Sequence, residues 1–108
     1  MRTGRHEPPT TVVNLKGHRR DASFADVVYV GRAVRRGGWH LEASSFANPF
    51  RPGPDGPRDE VLDRYRSWIA NRPDLLARLP DLKGRRLGCW CAPRPCHADV
   101  LAELADGI

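Results

Sequence analysis

Residues Ala25-Asp26-Val27-Val28-Tyr29-Val30 form a nearly continuous apolar run that stops at Gly31. A strand with one wet face alternates apolar and polar residues. A strand that does not alternate is buried on both faces, as in the sheet of an α/β domain. Two further segments can join it: residues 11–15, dense in β-branched side chains, and residues 85–91, Arg-Arg-Leu-Gly-Cys-Trp-Cys. Helical patterns lie between and after them. Pro57 suits a first helical position, with Asp59 and Glu60 at the positive end of the dipole. Val61, Leu62, Tyr65, Trp68 and Ile69 recur at helical spacing, and Pro73 ends the helix. Residues 74–79 read as one or two more helical turns before Pro80. After Pro93-Arg94-Pro95 a last helix carries His97, Val100, Leu101 and Leu104 on one face. Strands alternating with helices predict α/β: a small three-layer domain with a short, mostly parallel sheet. Trp68 and Trp90 are expected to be buried on opposite sides of it.

The remaining stretches carry less signal. Residues 1–10 read as a flexible basic tail, which leaves 11–108 as a single domain. Arg35-Arg36-Gly37-Gly38 reads as a turn, 39–46 as a short strand or irregular loop, and the Pro/Gly-rich stretch to Gly56 as a loop.

A chain of 108 residues, 40% hydrophobic and 29% charged, has the content of one globular core. No apolar run approaches the roughly 18–20 residues of a membrane span. The basic start has no apolar stretch behind it, so it is not read as a secretory signal, and the cytoplasm is the expected compartment. Three cysteines cannot all pair within the chain. They lie together between positions 89 and 96, and are expected to be reduced thiols. The net charge of +5 favours phosphate-bearing partners; the excess of Arg over Lys is equally a composition bias.

Any chemistry centres on Cys89-Trp90-Cys91-Ala92-Pro93-Arg94-Pro95-Cys96-His97. On a strand Cys89 and Cys91 share a face, roughly 6–7 Å apart, with Trp90 pointing the other way. Cys96 and His97 then fall in the first turn of the last helix, where backbone N–H groups and partial positive charge collect. Ligands of α/β sheets sit beyond the carboxyl ends of strands. Three chemistries fit. Arg94, His97 and the helix N-terminus can hold a phosphate or carboxylate. Cys91 or Cys96 can be an activated thiolate. Cys89, Cys91, Cys96 and His97 can hold zinc, although the spacing is poor for it and no cofactor is expected. Against all three stands the plain alternative that the thiols are small core residues.

Other candidates are Asn48, in a tight turn before Pro49 or on a ligand edge; Arg32, just beyond the clearest strand; and Asp99, capping the last helix or orienting His97. Glu42 and Glu60 are carboxylates with no evident placement.

Val-Val-Asn-Leu in the first strand, Tyr-Val-Gly-Arg after the second, Asn48-Pro49-Phe50, the helix with Tyr65 and Trp68, and Cys-Trp-Cys-Ala-Pro-Arg-Pro-Cys-His together resemble the domain of unknown function 4326 family of bacteria and their phages. The resemblance covers about residues 11–105. It implies a fold and no assigned reaction. Its motifs fall on Asn48, Pro49, Phe50, Cys89, Trp90, Cys91, Pro93, Cys96 and His97. The broad shape also resembles small Rossmann-like nucleotide- and nucleoside-processing domains, including nucleoside N-glycosyl hydrolases and transferases, an analogy of fold alone.

The expected function is binding, with processing as an extension, of a nucleotide, nucleoside or related phosphorylated small molecule. Arg94, His97 and the last helix would hold the anion, Asn48 and Arg32 would contribute from loops, and Cys91 or Cys96 would tune or carry chemistry. The alternatives are a nucleic-acid module using basic loops at 16–20, 35–36 and 83–86, and a structural Cys3His zinc domain. No membrane partner is expected.

Overall fold

A computed structural model describes residues 9–18, 22–36, 38–90 and 96–107. It has the α/β class. Strand β1 (Thr11–Asn14), β2 (Val27–Tyr29) and β5 (Arg86–Cys89) form one sheet in the order β1-β5-β2, parallel throughout. The registers Val12↔Leu87 and Val28↔Leu87 place the last of these strands between the other two. A second, two-stranded antiparallel sheet pairs β3 (Val34–Arg36) with β4 (Trp39–Leu41). The helices are α1 (Arg58–Ala70), α2 (Pro73–Leu76) and α3 (His97–Asp106).

Alternation along β5 sets the layers. Leu87 and Cys89 are fully buried and belong to the cluster formed with Tyr65 and Ile69 of α1, Leu75 of α2 and Leu101 of α3. Gly88 points the other way, where a Cβ would come within 2.8 Å of Val27 Cγ1 and 3.2 Å of Leu15 Cδ1. Glycine there leaves the room that the Val27 and Leu15 side chains occupy over the strand. That second face carries the 3-10 turn Ala22–Phe24 and the β3–β4 hairpin.

Several local expectations shift. Arg35 and Arg36 belong to β3; the turn lies beyond them, where Gly38 takes φ +82°, a region open to glycine. Pro57 is the N-cap of α1 and Arg58 its first residue. Thr10 is anchored, not part of a free tail. It is 7% exposed, its N–H donates to Asp106 Oδ1 at 3.1 Å and its hydroxyl to the same oxygen at 2.6 Å. The buried tryptophan is Trp39, its Nε1 donating to the His18 carbonyl at 2.9 Å. Trp68 and Trp90 are only half-buried. Trp68 lies at the edge of the helical face with the Arg72 guanidinium 4.9 Å from its ring centre. Trp90 lies past the end of β5, edge-on to Trp39.

Among the described residues no helix is long and apolar enough to cross a membrane.

Candidate functional site

The chain leaves β2 at Tyr29 and turns through Val30, Gly31 and Arg32. Three successive carbonyls of that turn are all engaged. His97 Nε2 is 2.6 Å from the Val30 oxygen. The Ser44 N–H donates to Gly31 at 2.9 Å. The Tyr29 hydroxyl folds back and donates to Arg32 at 2.5 Å, while accepting from Trp90 Nε1 at 2.8 Å. A Cβ at Gly31 would sit 2.5 Å from that hydroxyl, so the fold-back needs glycine. The turn is thereby fixed to α3, to β5 and to the loop after β4.

Arg32 extends the network. Its Nη2 donates to the carbonyls of Asn48 (2.6 Å) and Phe50 (3.3 Å). Asn48 Oδ1 in turn accepts the Phe50 N–H at 2.9 Å, a side-chain-closed turn of the kind its sequence favours. Nη1 and Nε of Arg32 make no hydrogen bond among the described residues.

These groups border one cavity of about 260 Å³ beyond the carboxyl ends of β2 and β5. Tyr29, Phe50 and Trp90 give it aromatic wall, and Val61 and Leu62 aliphatic wall. Arg32, Arg58, Asn48 and His97 supply its polar groups, and Cys89 and Cys96 reach it from the core. Arg58 opens α1 and His97 opens α3, so two helices begin at this cavity. Among the described residues no carboxylate lines it.

Of the candidates read from the sequence, Arg32, Asn48, Cys89, Cys96 and His97 meet at this cavity. Cys91 and Arg94 lie outside the described residues. Asp99 serves the helix end: its carboxylate accepts the Cys96 N–H at 2.9 Å, and Cys96 Sγ accepts the Asp99 N–H in return. Cys89 and Cys96 are thiols, 2% and 3% exposed. Among the described residues no group of three or more His, Cys, Asp and Glu side chains is placed to hold a metal ion; Cys91, a member of the expected Cys3His set, is outside them. Glu42 and Glu60 do not line the cavity. Arg58 was not singled out by sequence. The only cue was its place beside Pro57, and 18 basic residues compete for attention.

Burial holds the His97 imidazole below its ordinary value of about 6.5. The Val30 carbonyl opposes this, the nearby Arg32 charge reinforces it, and Asp99 opposes it weakly. The neutral ring, donating from Nε2, keeps an acceptor at Nδ1. Burial, and next the Cys96 sulfur, pushes the Tyr65 phenol far up, so it remains a donor.

The His97 shift has a consequence for stability. The native ring is the weaker base, so the unfolded chain binds the proton more readily. Stability is complete above about pH 6.5 and falls as the pH drops from there toward the lowered native value. His97→Gln is expected to flatten that slope in urea titrations at about pH 7.5 and about pH 5.5. An unchanged difference between the two would place the titrating group elsewhere.

Comparisons place the chain among relatives without assigned activity. The family described as Domain of unknown function (DUF4326) matches residues 13–107. The chain is similar to an uncharacterized protein of Acanthamoeba polyphaga mimivirus, 35% identical over 101 residues, which are 86% of this chain and 77% of that protein. It is also similar to an uncharacterized 12.4 kDa protein of the nrdA-td intergenic region of Enterobacteria phage T4, 50% identical over 57 residues, 49% of this chain and 53% of that one. No solved structure matches.

Proposed function

Because the chain belongs to the domain of unknown function 4326 family, whose description carries no activity, we propose a role from the cavity itself: it binds a nucleotide or related phosphorylated small molecule. The observation that carries this is the composition of the cavity lining. Arg32 and Arg58 both line it, together with the first residues of two helices, and its described lining residues include no carboxylate. Such a lining attracts an anion. Tyr29, Phe50 and Trp90 line the same cavity, and their rings suit a flat base. At about 260 Å³ the space falls just under the range of about 300–1,000 Å³ usual for drug-sized ligands. That favours a mononucleotide over a dinucleotide.

His97 is the group best placed to extend binding into proton transfer. Its Nδ1 is unprotonated at neutral pH, and the imidazole borders the cavity. Cys96 borders it too. The protein would act in the reducing cytoplasm, where its thiols stay reduced.

Calorimetric titration of the full chain against nucleosides, their monophosphates and inorganic phosphate tests the proposal. A monophosphate should bind, and its parent nucleoside about 10- to 150-fold more weakly, the worth of charged hydrogen bonds to one phosphate. No binding across the panel, or equal binding of nucleoside and monophosphate, would sink it.

A further inference from the structure

The cavity is rich in hydrogen-bond donors and poor in acceptors. Arg32 and Arg58 can only donate. Asn48 has its Oδ1 committed to the Phe50 N–H at 2.9 Å, which leaves the Nδ2 hydrogens for a ligand. The Tyr29 hydroxyl already donates to the Arg32 carbonyl and accepts from Trp90 Nε1. His97 is the exception. The Val30 carbonyl can only accept, so the ring nitrogen 2.6 Å from it, Nε2, carries the hydrogen. Nδ1 of the neutral ring is then a bare acceptor, and it makes no hydrogen bond among the described residues.

An anion brings acceptors only. Against Nδ1 its oxygen meets a lone pair, and the contact is repulsive until a proton lies between the two. The other titratable groups around the ring are not placed to relieve this. Arg32, in the turn after β2, and Arg58, at the start of α1, are already cations. Tyr65 of α1 stands edge-on to the ring at 5.2 Å, and burial keeps its phenol neutral. Cys89 of β5 and Cys96 of α3 are buried thiols. Asp99 of α3 has its carboxylate on the Cys96 N–H. Burial first, and the Arg32 charge after it, keep the empty site's imidazole neutral. A bound anion offsets that charge and gives a hydrogen on Nδ1 its acceptor.

Resting on the reading of this cavity as a mononucleotide site, we propose that His97 takes up a proton from solvent as the anion binds, and holds the phosphate through Nδ1 as an imidazolium. Both ring nitrogens then donate, Nε2 to Val30 and Nδ1 to a phosphate oxygen. One proton enters from the buffer and no covalent bond breaks. The sign follows from linkage. The free ring titrates below about pH 6.5 and the bound ring above about pH 7. Between those values the complex carries the extra proton, so affinity falls as the pH rises, by up to about tenfold per unit.

The test is calorimetric titration of the full chain with the tightest-binding nucleoside monophosphate, repeated in buffers of different ionisation enthalpy. It is run from about pH 7 to about pH 8.5, where the free phosphate ester is mostly a dianion. Near pH 7 each ligand should bring in more than about half a proton, and affinity should drop about threefold or more across the range. His97→Gln can keep a donor on the Val30 carbonyl but does not titrate in this range. Its binding should be weaker at about pH 7, independent of pH and free of proton uptake. If that variant unfolds, imidazole nitrogen spectra of the wild type decide: saturation should carry His97 Nδ1 from its unprotonated to its protonated position. Monophosphate binding without proton uptake, uptake that persists in His97→Gln, or an unprotonated Nδ1 at saturation would each overturn this inference and leave the nucleotide reading standing. Failure of every monophosphate to bind would remove both.

Discussion

Tyr65→Ala is expected to cost about 3–5 kcal/mol of folding stability, the range for deleting a large buried aromatic. Tyr65 is completely buried on the inner face of α1. Its ring lies 5.5 Å from Trp68 and 5.2 Å, edge-on, from His97. Its hydroxyl donates to the Phe46 carbonyl at 2.7 Å and so pins the loop after β4 to the helix. A domain of this size has only about 5–15 kcal/mol in total, so the variant should sit near its unfolding midpoint at moderate temperature. Tyr65→Phe separates the two contributions. It keeps the ring and leaves the buried Phe46 oxygen without its donor, a loss of about 1–3 kcal/mol. Urea titration of both variants reads the two losses. A loss below about 1 kcal/mol for Tyr65→Ala would contradict its place at the centre of the core.

For binding, the largest effect is expected at Arg32. Arg32→Ala should weaken a nucleoside monophosphate by about 1.5–3 kcal/mol, roughly 10- to 150-fold. The side chain has two jobs that can be told apart. Nη2 holds the Asn48 and Phe50 carbonyls, and with them the Phe50 wall; the rest of the guanidinium borders the cavity, where the proposed phosphate would meet it. Arg32→Lys restores charge without the planar fork. It should recover part of the phosphate-dependent affinity and little of the loop's order. The parent nucleoside, which has no phosphate, reports the loop alone. Its affinity should fall less than that of the monophosphate in Arg32→Ala. Calorimetry that finds the monophosphate unaffected by Arg32→Ala would remove Arg32 from the site.

How legible these features are in the sequence depends on whether they are local. The α/β class, the parallel sheet and α1 follow from periodicities within single segments: the unbroken run before Gly31, and the spacing of Val61, Tyr65 and Ile69. The partnership of Arg32, Asn48 and His97 follows from a rule about strand ends. The hairpin was not legible, because Val34–Arg36 is only three residues, two of them arginine, and Gly-Gly after Arg-Arg reads as turn. Trp39 was missed as core for the same reason: its burial depends on Phe24 and Trp90, distant in sequence. Arg58 carried no signal of its own, since its place on the cavity wall depends on how α1 meets the sheet.

The position of β5 governs how the chain can fold at all. The strand that pairs with both others is the last to be synthesised, and Thr11 waits for Arg86 before its ladder can begin. Until then β1 and β2 have no partner, since each pairs only with β5 among the described strands. Loops that long close slowly, and their ordering cost comes before the contacts that offset it. On the ribosome, the residues ahead of Arg86 would therefore emerge without the parallel sheet, the apolar strands β1 and β2 exposed to chaperones and to one another. Collapse of the domain would then follow once Arg86–Cys89 and the α3 segment behind it are released.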